Sequence, residues 1–181
     1  MSRADEIVDV ALHLLESGGY EALSMRAIGA RVGMRAPSLY KHFADKRSLE
    51  AALIERGFRD QARAFAPALA STEPLAALAV AYRAWAREHR HLYRLMTERE
   101  LPRDLLPAGV EDAAAAALLS VAGSADRARA LWGLAHGLVA LELADRFPAG
   151  IDLDASWRAG ISAFAPTSTS SDLTGSITPG A

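Results

Sequence analysis

Apolar residues recur three and four positions apart along almost the whole chain, the spacing that collects them on one side of a helix. Ile7, Val10, Ala11, Leu14 and Leu15 share such a face and predict a helix over 3–17. Gly18-Gly19 ends it, because glycine tolerates the left-handed conformation of a helix C-terminus. Ser24 is placed to accept from the first free amides of a second helix over 25–32, and Gly33 stops that helix. Pro37 sits in the first turn of a short third helix ending near His42-Phe43, where a missing N–H costs nothing. Asp45 caps a fourth helix over 46–64 with Leu49, Ala52 and Leu53 inward. Pro67 and Ser71-Thr72-Glu73-Pro74 then mark a boundary.

Beyond Pro74 one helix carries Leu75, Leu78, Ala79, Tyr82 and Trp85, and another covers 91–100. Pro102 and Pro107 bracket a loop, and the alanine-rich stretch 109–122 predicts a further helix. Ser124 or Ala125 opens a long helix to about 146, stopped by Pro148 and Gly150. A last helix begins at Asp152 and ends before Pro166. Residues 166–181 hold eight Ser/Thr, two Gly and two Pro, too little apolar surface to order themselves, and are expected to be disordered. Strand signals are nearly absent. The expected fold is all-α, about nine helices, with an N-terminal three-helix helix-turn-helix domain over 1–60 and a C-terminal helical domain over 61–165.

With 51% hydrophobic residues, 181 residues suffice for a sizeable core. The chain has no cysteine, which excludes disulfides, thiolate metal sites and a cysteine nucleophile, and fits a reducing, cytoplasmic setting. Asp5, Glu6 and Asp9 interrupt any signal-peptide start. The longest apolar run, Ala130 to Leu141, contains His136 and two glycines and falls short of the roughly 20 residues a membrane span needs. No membrane partner is therefore expected. The net charge of −2 says little, but its distribution says more. Ser24 to Arg47 contains Arg26, Arg31, Arg35, Lys41, Lys46 and Arg47 against Asp45 alone, a local +5 that leaves −7 elsewhere. Such a segment is a candidate phosphate-facing surface.

Two short helices around a turn at Gly33, braced by a preceding helix, have helix-turn-helix geometry. The third helix presents Arg35, Ser38, Tyr40, Lys41 and His42 as donors, behind a small N-terminus of Ala36 and Pro37 that can enter a major groove. The stretch MRAIGARVGMRAPSLYKHFADKRSLEAAL resembles the DNA-binding domain of TetR/AcrR repressors, a likeness covering roughly residues 1–60. The resemblance implies that Arg35, Ala36, Pro37 and Ser38 begin the recognition helix. It implies that Tyr40, Lys41 and His42 contact phosphate and adjacent bases, and that Lys46 grips backbone phosphate, while Leu39 and Phe43 are buried. Without it, Tyr40 reads equally as half core, and Arg26 and Arg31 as solvated surface charges. Two positions depart from the family pattern. Gly29 replaces a helix former, at about 1 kcal/mol relative to alanine. Arg35 replaces a Ser or Thr cap and brings a donor that can reach guanine or phosphate.

Leu131-Trp132-Gly133-Leu134-Ala135-His136-Gly137-Leu138 resembles the Trp…His-Gly signature of a TetR-like C-terminal subgroup. Gly133, Gly137, Ala140 and Ala144 share one helix face, and close approach of another helix would offset the glycines. The resemblance implies a homodimer formed by the last two long helices and bound to a palindromic DNA operator. Tyr82, Trp85, His89, Tyr93, Met96, Trp132 and His136 are large groups at inward positions, suited to a small apolar or aromatic effector or to ordinary core packing. His136 reads as well as a hydrogen-bonded core residue, and His89-Arg90-His91 as a helix end, since no carboxylate or cysteine lies at ligand spacing. No cofactor or metal is expected. An enzyme reading would pair His136 with Glu142 as acid and base. Those two, six apart, do not stack on one helix face, and no catalytic motif appears. The functional expectation is a DNA-binding transcriptional repressor released by a small hydrophobic ligand; the alternative is a ligand-independent helical DNA-binding or interaction protein.

Overall fold

The computed structural model describes residues 2–165, so the expected disordered tail 166–181 lies outside the described residues. Within them the chain forms nine α-helices and no strand. The first, α1 (Arg3–Ala22), starts with a reciprocal cap: Ser2 Oγ accepts from Asp5 N–H at 3.1 Å and the Asp5 carboxylate accepts from Ser2 N–H at 2.7 Å. At Gly19 the backbone turns to φ 70°, ψ −174°, breaking α1 at the expected glycine pair before one more turn to Ala22.

In α2 (Met25–Val32), Ser24 caps the Ala27 N–H, and Gly33 at φ 71° closes the helix in the left-handed region. Gly29 has a packing reason that helix propensity misses. A Cβ there would lie 2.9 Å from the Met34 carbonyl oxygen, and the Met34 N–H donates to the Gly29 carbonyl at 2.8 Å. The turn backbone therefore sits against the glycine.

Next, α3 (Ala36–Leu39) is shorter than the pattern suggests. After Leu39 the chain tightens into a turn in which the His42 and Phe43 N–H groups share the Leu39 carbonyl at 3.0 and 3.1 Å. Arg35 stands at its N-cap with no side-chain capping bond.

Asp45 and Ser48 cap each other at the start of α4 (Lys46–Phe65). This helix runs unbroken through residue 60, where the boundary between the two domains is expected, so both halves share it. A 3-10 segment over Ala66–Ala70 leads to α5 (Pro74–Glu88), which meets α6 (Arg90–Thr97) at His89. Beyond a 3-10 turn over Arg103–Leu105 lie α7 (Val110–Ala122), α8 (Ala125–Leu143) and α9 (Leu153–Ser162). The end of α8 comes three residues before the expected 146. Arg94 donates to the Leu143 carbonyl at 3.1 Å, and Asp145 turns to φ 52°.

A single apolar core joins Ile7, Leu15, Ile28, Leu39 and Leu53 of the N-terminal helices to Phe65, Leu78, Trp85, Leu131, Val139 and Ile161. Where α4 meets α6, a Cβ on Gly57 would lie 2.4 Å from Met96 Sδ, so the glycine sets the closeness of that crossing. Arg83 of α5 donates to both carboxylate oxygens of Glu142 on α8, at 2.7 and 3.0 Å, and pairs with Asp154 of α9. Among the described residues no helix is long and apolar enough to cross a membrane, and no three potential metal ligands gather.

Candidate nucleic-acid interface and C-terminal core

The structure places Arg35, Ala36, Pro37, Ser38, Tyr40, Lys41 and His42 on the surface together, while Leu39 and Phe43 point inward at 0% and 8% exposure. One turn of helix therefore separates two duties: two apolar anchors hold it to the core beside α2, and its remaining side chains face solvent. Tyr40 is 48% exposed, so its ring is not half of the core. This is the arrangement a groove-reading element requires, with donors outward and a rigid base.

Lys46 stands apart from the others. It is half-buried at the start of α4, with its ammonium 3.8 Å from the centroid of the Tyr20 ring and 3.9 Å from Glu50 Oε1. The Tyr20 hydroxyl donates to that same oxygen at 2.7 Å. Burial and the Glu50 carboxylate hold the Tyr20 hydroxyl protonated by raising its pKa. Beside it, Arg47 makes a two-pronged contact with Asp104, across 57 residues of sequence. A cleft of about 420 Å³ opens here, lined by Arg47, Glu50, Leu95, Glu98, Arg99 and Pro102.

The seven residues expected around an effector do not converge on one cavity. Tyr82, Trp85, Tyr93 and Met96 are buried, and His89 and His136 are half-buried. Trp132, expected inward, is 46% exposed, because the inward face of α8 is set by Leu131, Ala135 and Val139 and position 132 is turned about 100° from it. Of the seven, only Tyr82 lines the internal gap between α5, α7, α8 and α9, beside Leu78, Leu118, Leu131 and Ile161. That gap is about 10 Å³, room for about one water, so it is closed to anything larger.

Three of the seven form a hydrogen-bonded chain instead. The hydroxyls of Tyr82 and Tyr93 are 3.0 Å apart, and Tyr93 Oη lies 2.7 Å from His136 Nδ1. The Tyr82 and Tyr93 rings meet edge to face, and Trp132 stacks on His136. His136 thus lies in a polar chain leading from the core to the exposed face of α8. Glu142, its partner in an acid–base reading, has both carboxylate oxygens held by Arg83. Burial pushes the Tyr82 hydroxyl up to about 12 and raises that of Tyr93 further.

These shifts fix a sign. The folded state keeps its tyrosine protons to higher pH than the unfolded chain, where tyrosine titrates near 10. Stability from these groups is therefore complete below about pH 10 and declines above it, by about 1.4 kcal/mol per pH unit per buried tyrosine until the folded-state pKa is reached. Urea midpoints measured from pH 8 to pH 11.5 should be flat and then fall. A midpoint unchanged through pH 11.5 would rule out the buried chain.

Sequence reasoning missed Tyr20, Arg99 and Asp104. Each meets its partner through space, and only Tyr20, just past the glycine break, lies near a signal that could have flagged it.

Comparison with known proteins locates both halves. Residues 7–53 match the family model described as bacterial regulatory proteins, tetR family, and residues 75–164 match one described as tetracyclin repressor-like, C-terminal domain. Tetracycline repressor protein class C of Escherichia coli is 41% identical over 51 residues, 28% of this chain and 23% of that protein. The HTH-type transcriptional regulator Rv0681 of Mycobacterium tuberculosis, itself uncharacterized, is 29% identical over 151 residues, 77% of this chain and 69% of that one. The chain therefore spans about a quarter of the first relative's length and just over two thirds of the second's. Among solved structures, SCO4313 is 29% identical with a TM-score of 0.72, covering 89% of this chain and 94% of its own.

Proposed function

Because this chain belongs to the TetR family of bacterial regulatory proteins and is a DNA-binding transcriptional regulator, we propose that it is a cytoplasmic homodimeric repressor, released from a palindromic operator by a small apolar or aromatic effector. The observation that carries this reading is the surface of α3 and its following turn. Arg35, Ser38, Tyr40, Lys41 and His42 face outward there over the buried Leu39 and Phe43, and Lys46 opens α4 three residues after Phe43. Arg35 and Ser38 read base edges at the groove floor, while Lys41, His42 and Lys46 take phosphates.

A dimer is supported by the outer face of α8. Gly133, Gly137, Ala140 and Ala144 form a stripe opposite the buried face, and a Cβ on either glycine would meet nothing within 4 Å in this chain. Among the described residues no helix offsets those glycines, which supports a second copy as the close partner. Trp132 and Leu141, 46% and 45% exposed, flank the stripe and supply apolar area. Two-fold pairing would present the two α3 elements to successive major-groove faces, about 34 Å or a multiple apart.

The closed gap beside Tyr82 supports an effector that works by wedging. A ligand entering between α5, α7, α8 and α9 must part them, and it favours the parted state by the contacts it makes only there. The Tyr82–Tyr93–His136 chain offers such a ligand a polar partner in an otherwise apolar wall.

The test is binding to duplex fragments from the protein's own promoter region. Lys46→Ala should weaken binding to every sequence and reduce the slope of log K against log salt by about one unit. Arg35→Ala should cost about 1–3 kcal/mol at one base position and relax preference there. A uniform loss across sequences would make Arg35 a phosphate contact, and a wild-type chain that ignores duplex at low salt would sink the reading.

A further inference from the structure

Lys46 is one of only two lysines in the chain, and its half-buried side chain sets the ammonium between an aromatic ring and a carboxylate. The Tyr20 ring lies 3.8 Å from it, Glu50 Oε1 3.9 Å away, and the Tyr20 hydroxyl holds that oxygen at 2.7 Å. The same ring carries a second cation, the Arg99 guanidinium, 4.0 Å from its centroid. These groups come from unrelated stretches: Tyr20 follows the Gly19 break in α1, Lys46 and Glu50 open α4, and Arg99 follows α6 in the C-terminal half. A ring face attracts each cation, the cations repel each other, and Glu50, with Glu98 and Glu100 in the same cleft, offsets their charge. A shift of Arg99 therefore changes the force on Lys46 without the two ever touching.

The surroundings connect Arg99 to the same end of α1. The α6 N-terminus is capped from α1, where the Glu16 carboxylate accepts from the His91 and Leu92 N–H groups at 3.4 and 3.1 Å. Gly19 lies against the His91 ring, where a Cβ would be 3.4 Å from it. Helix α6 thus rests on the same end of α1 that carries Tyr20, and the segment after α6 carries Arg99.

We propose that Tyr20 is a positioning residue for DNA binding: its ring fixes the Lys46 ammonium where a backbone phosphate meets it, and Arg99 on that ring ties the position to the C-terminal half. This rests on the reading that Lys46 faces DNA. An unrestrained lysine loses its rotamer freedom on meeting a phosphate; a lysine already held against a ring loses less. Movement of α6 and the segment behind it then reaches the DNA-facing cation through one aromatic ring.

With only Lys41 and Lys46 present, the full chain labelled with 13C-lysine gives two ε-methylene signals, which allows a test without DNA. The Lys46 signal should stand upfield of Lys41, shifted by the tyrosine ring current. Tyr20→Leu should return it to the Lys41 position, Tyr20→Phe should largely keep it shifted, and Arg99→Ala should move Lys46 alone. Arg99 is exposed, so its substitution leaves the fold intact even where Tyr20→Leu does not.

Binding of the same variants to a mixed-sequence duplex supplies the second arm. Tyr20→Leu should lower the salt slope by about one unit, as Lys46→Ala does, and the double variant should lose no more than either alone. Arg99→Ala should change affinity in the wild-type background and not in Lys46→Ala. A Lys46 signal indifferent to Tyr20 and Arg99, or additive effects on binding, would overturn the positioning role. A wild-type chain that fails to bind duplex would sink the regulator reading instead, with the lysine signals still deciding whether Tyr20 and Arg99 hold Lys46.

Discussion

Replacing Tyr93 with alanine is expected to remove about 3–5 kcal/mol of stability, the range for truncating a large buried ring. Tyr93 is 1% exposed, and two neighbours depend on it. Tyr82 meets its ring edge to face with centroids 6.1 Å apart, and its hydroxyl joins Tyr82 Oη to His136 Nδ1. Truncation therefore opens a cavity and strands two polar groups. Tyr93→Phe isolates the second effect: the ring stays, and the hydroxyl leaves Tyr82 and His136 facing a carbon at a cost of about 1–3 kcal/mol. In a chain of this size each kcal/mol moves Tm by about 2–4 °C, so thermal unfolding separates the two variants. Equal Tm losses from both would place the weight on the hydroxyl. No loss from Tyr93→Phe would mean that water replaces it and the chain is not closed.

Much of the fold is legible in the sequence because its punctuation is local. Ser24, Asp45 and Ser124 each accept from an amide three residues on, Gly33 donates to the Gly29 carbonyl four residues back, and each stands at the helix end its type predicts. Lengths that depend on distant partners are less legible. The pattern carries α3 to His42-Phe43, but Leu39 closes it early by offering one carbonyl to two amides, and α8 stops at Leu143 where Arg94 arrives from α6. Gly29 looks like a defect by propensity and becomes intelligible only once the Met34 carbonyl is seen beside it.

The candidate site divides in the same way. The outward donors of α3 follow from sequence neighbours, since burying Leu39 and Phe43 turns the positions between them to solvent. The C-terminal choice of large side chains does not reveal which of them meet. Periodicity cannot tell Trp132 from Leu131 until the packing of α8 is fixed, and it cannot say that Tyr82, Tyr93 and His136 form a chain across 43 and 11 residues. Ion pairs are least legible of all: Arg47 with Asp104 and Arg83 with Glu142 join positions 57 and 59 residues apart. Those pairs nevertheless tie the N-terminal helices to the C-terminal ones and fix the α5–α8 spacing beside the closed gap.

Leu39→Ala is expected to cost about 2–5 kcal/mol and to abolish sequence-specific DNA binding more completely than that loss of stability implies. Leu39 is fully buried, and its Cδ2 would lie 3.9 Å from a Cβ placed on Gly29, so it fills the angle between α2 and α3. A four-residue helix has almost no stability of its own, because nucleating a turn costs more than its few bonds return. Its shape comes from Leu39 and Phe43, and every outward donor inherits its direction from them. Losing Leu39 therefore loosens Arg35, Ser38 and Lys41 at once, while the distant C-terminal core keeps the protein folded. Ser38→Ala provides the contrast, since an exposed hydroxyl should leave Tm nearly unchanged and alter only binding. The pair is read by thermal unfolding beside titration with specific and mixed-sequence duplexes. Leu39→Ala should retain salt-dependent binding to mixed sequence through Lys46 and lose the preference for the specific site. Specific affinity that survived in proportion to the folded fraction would show that α3 keeps its direction without its anchor.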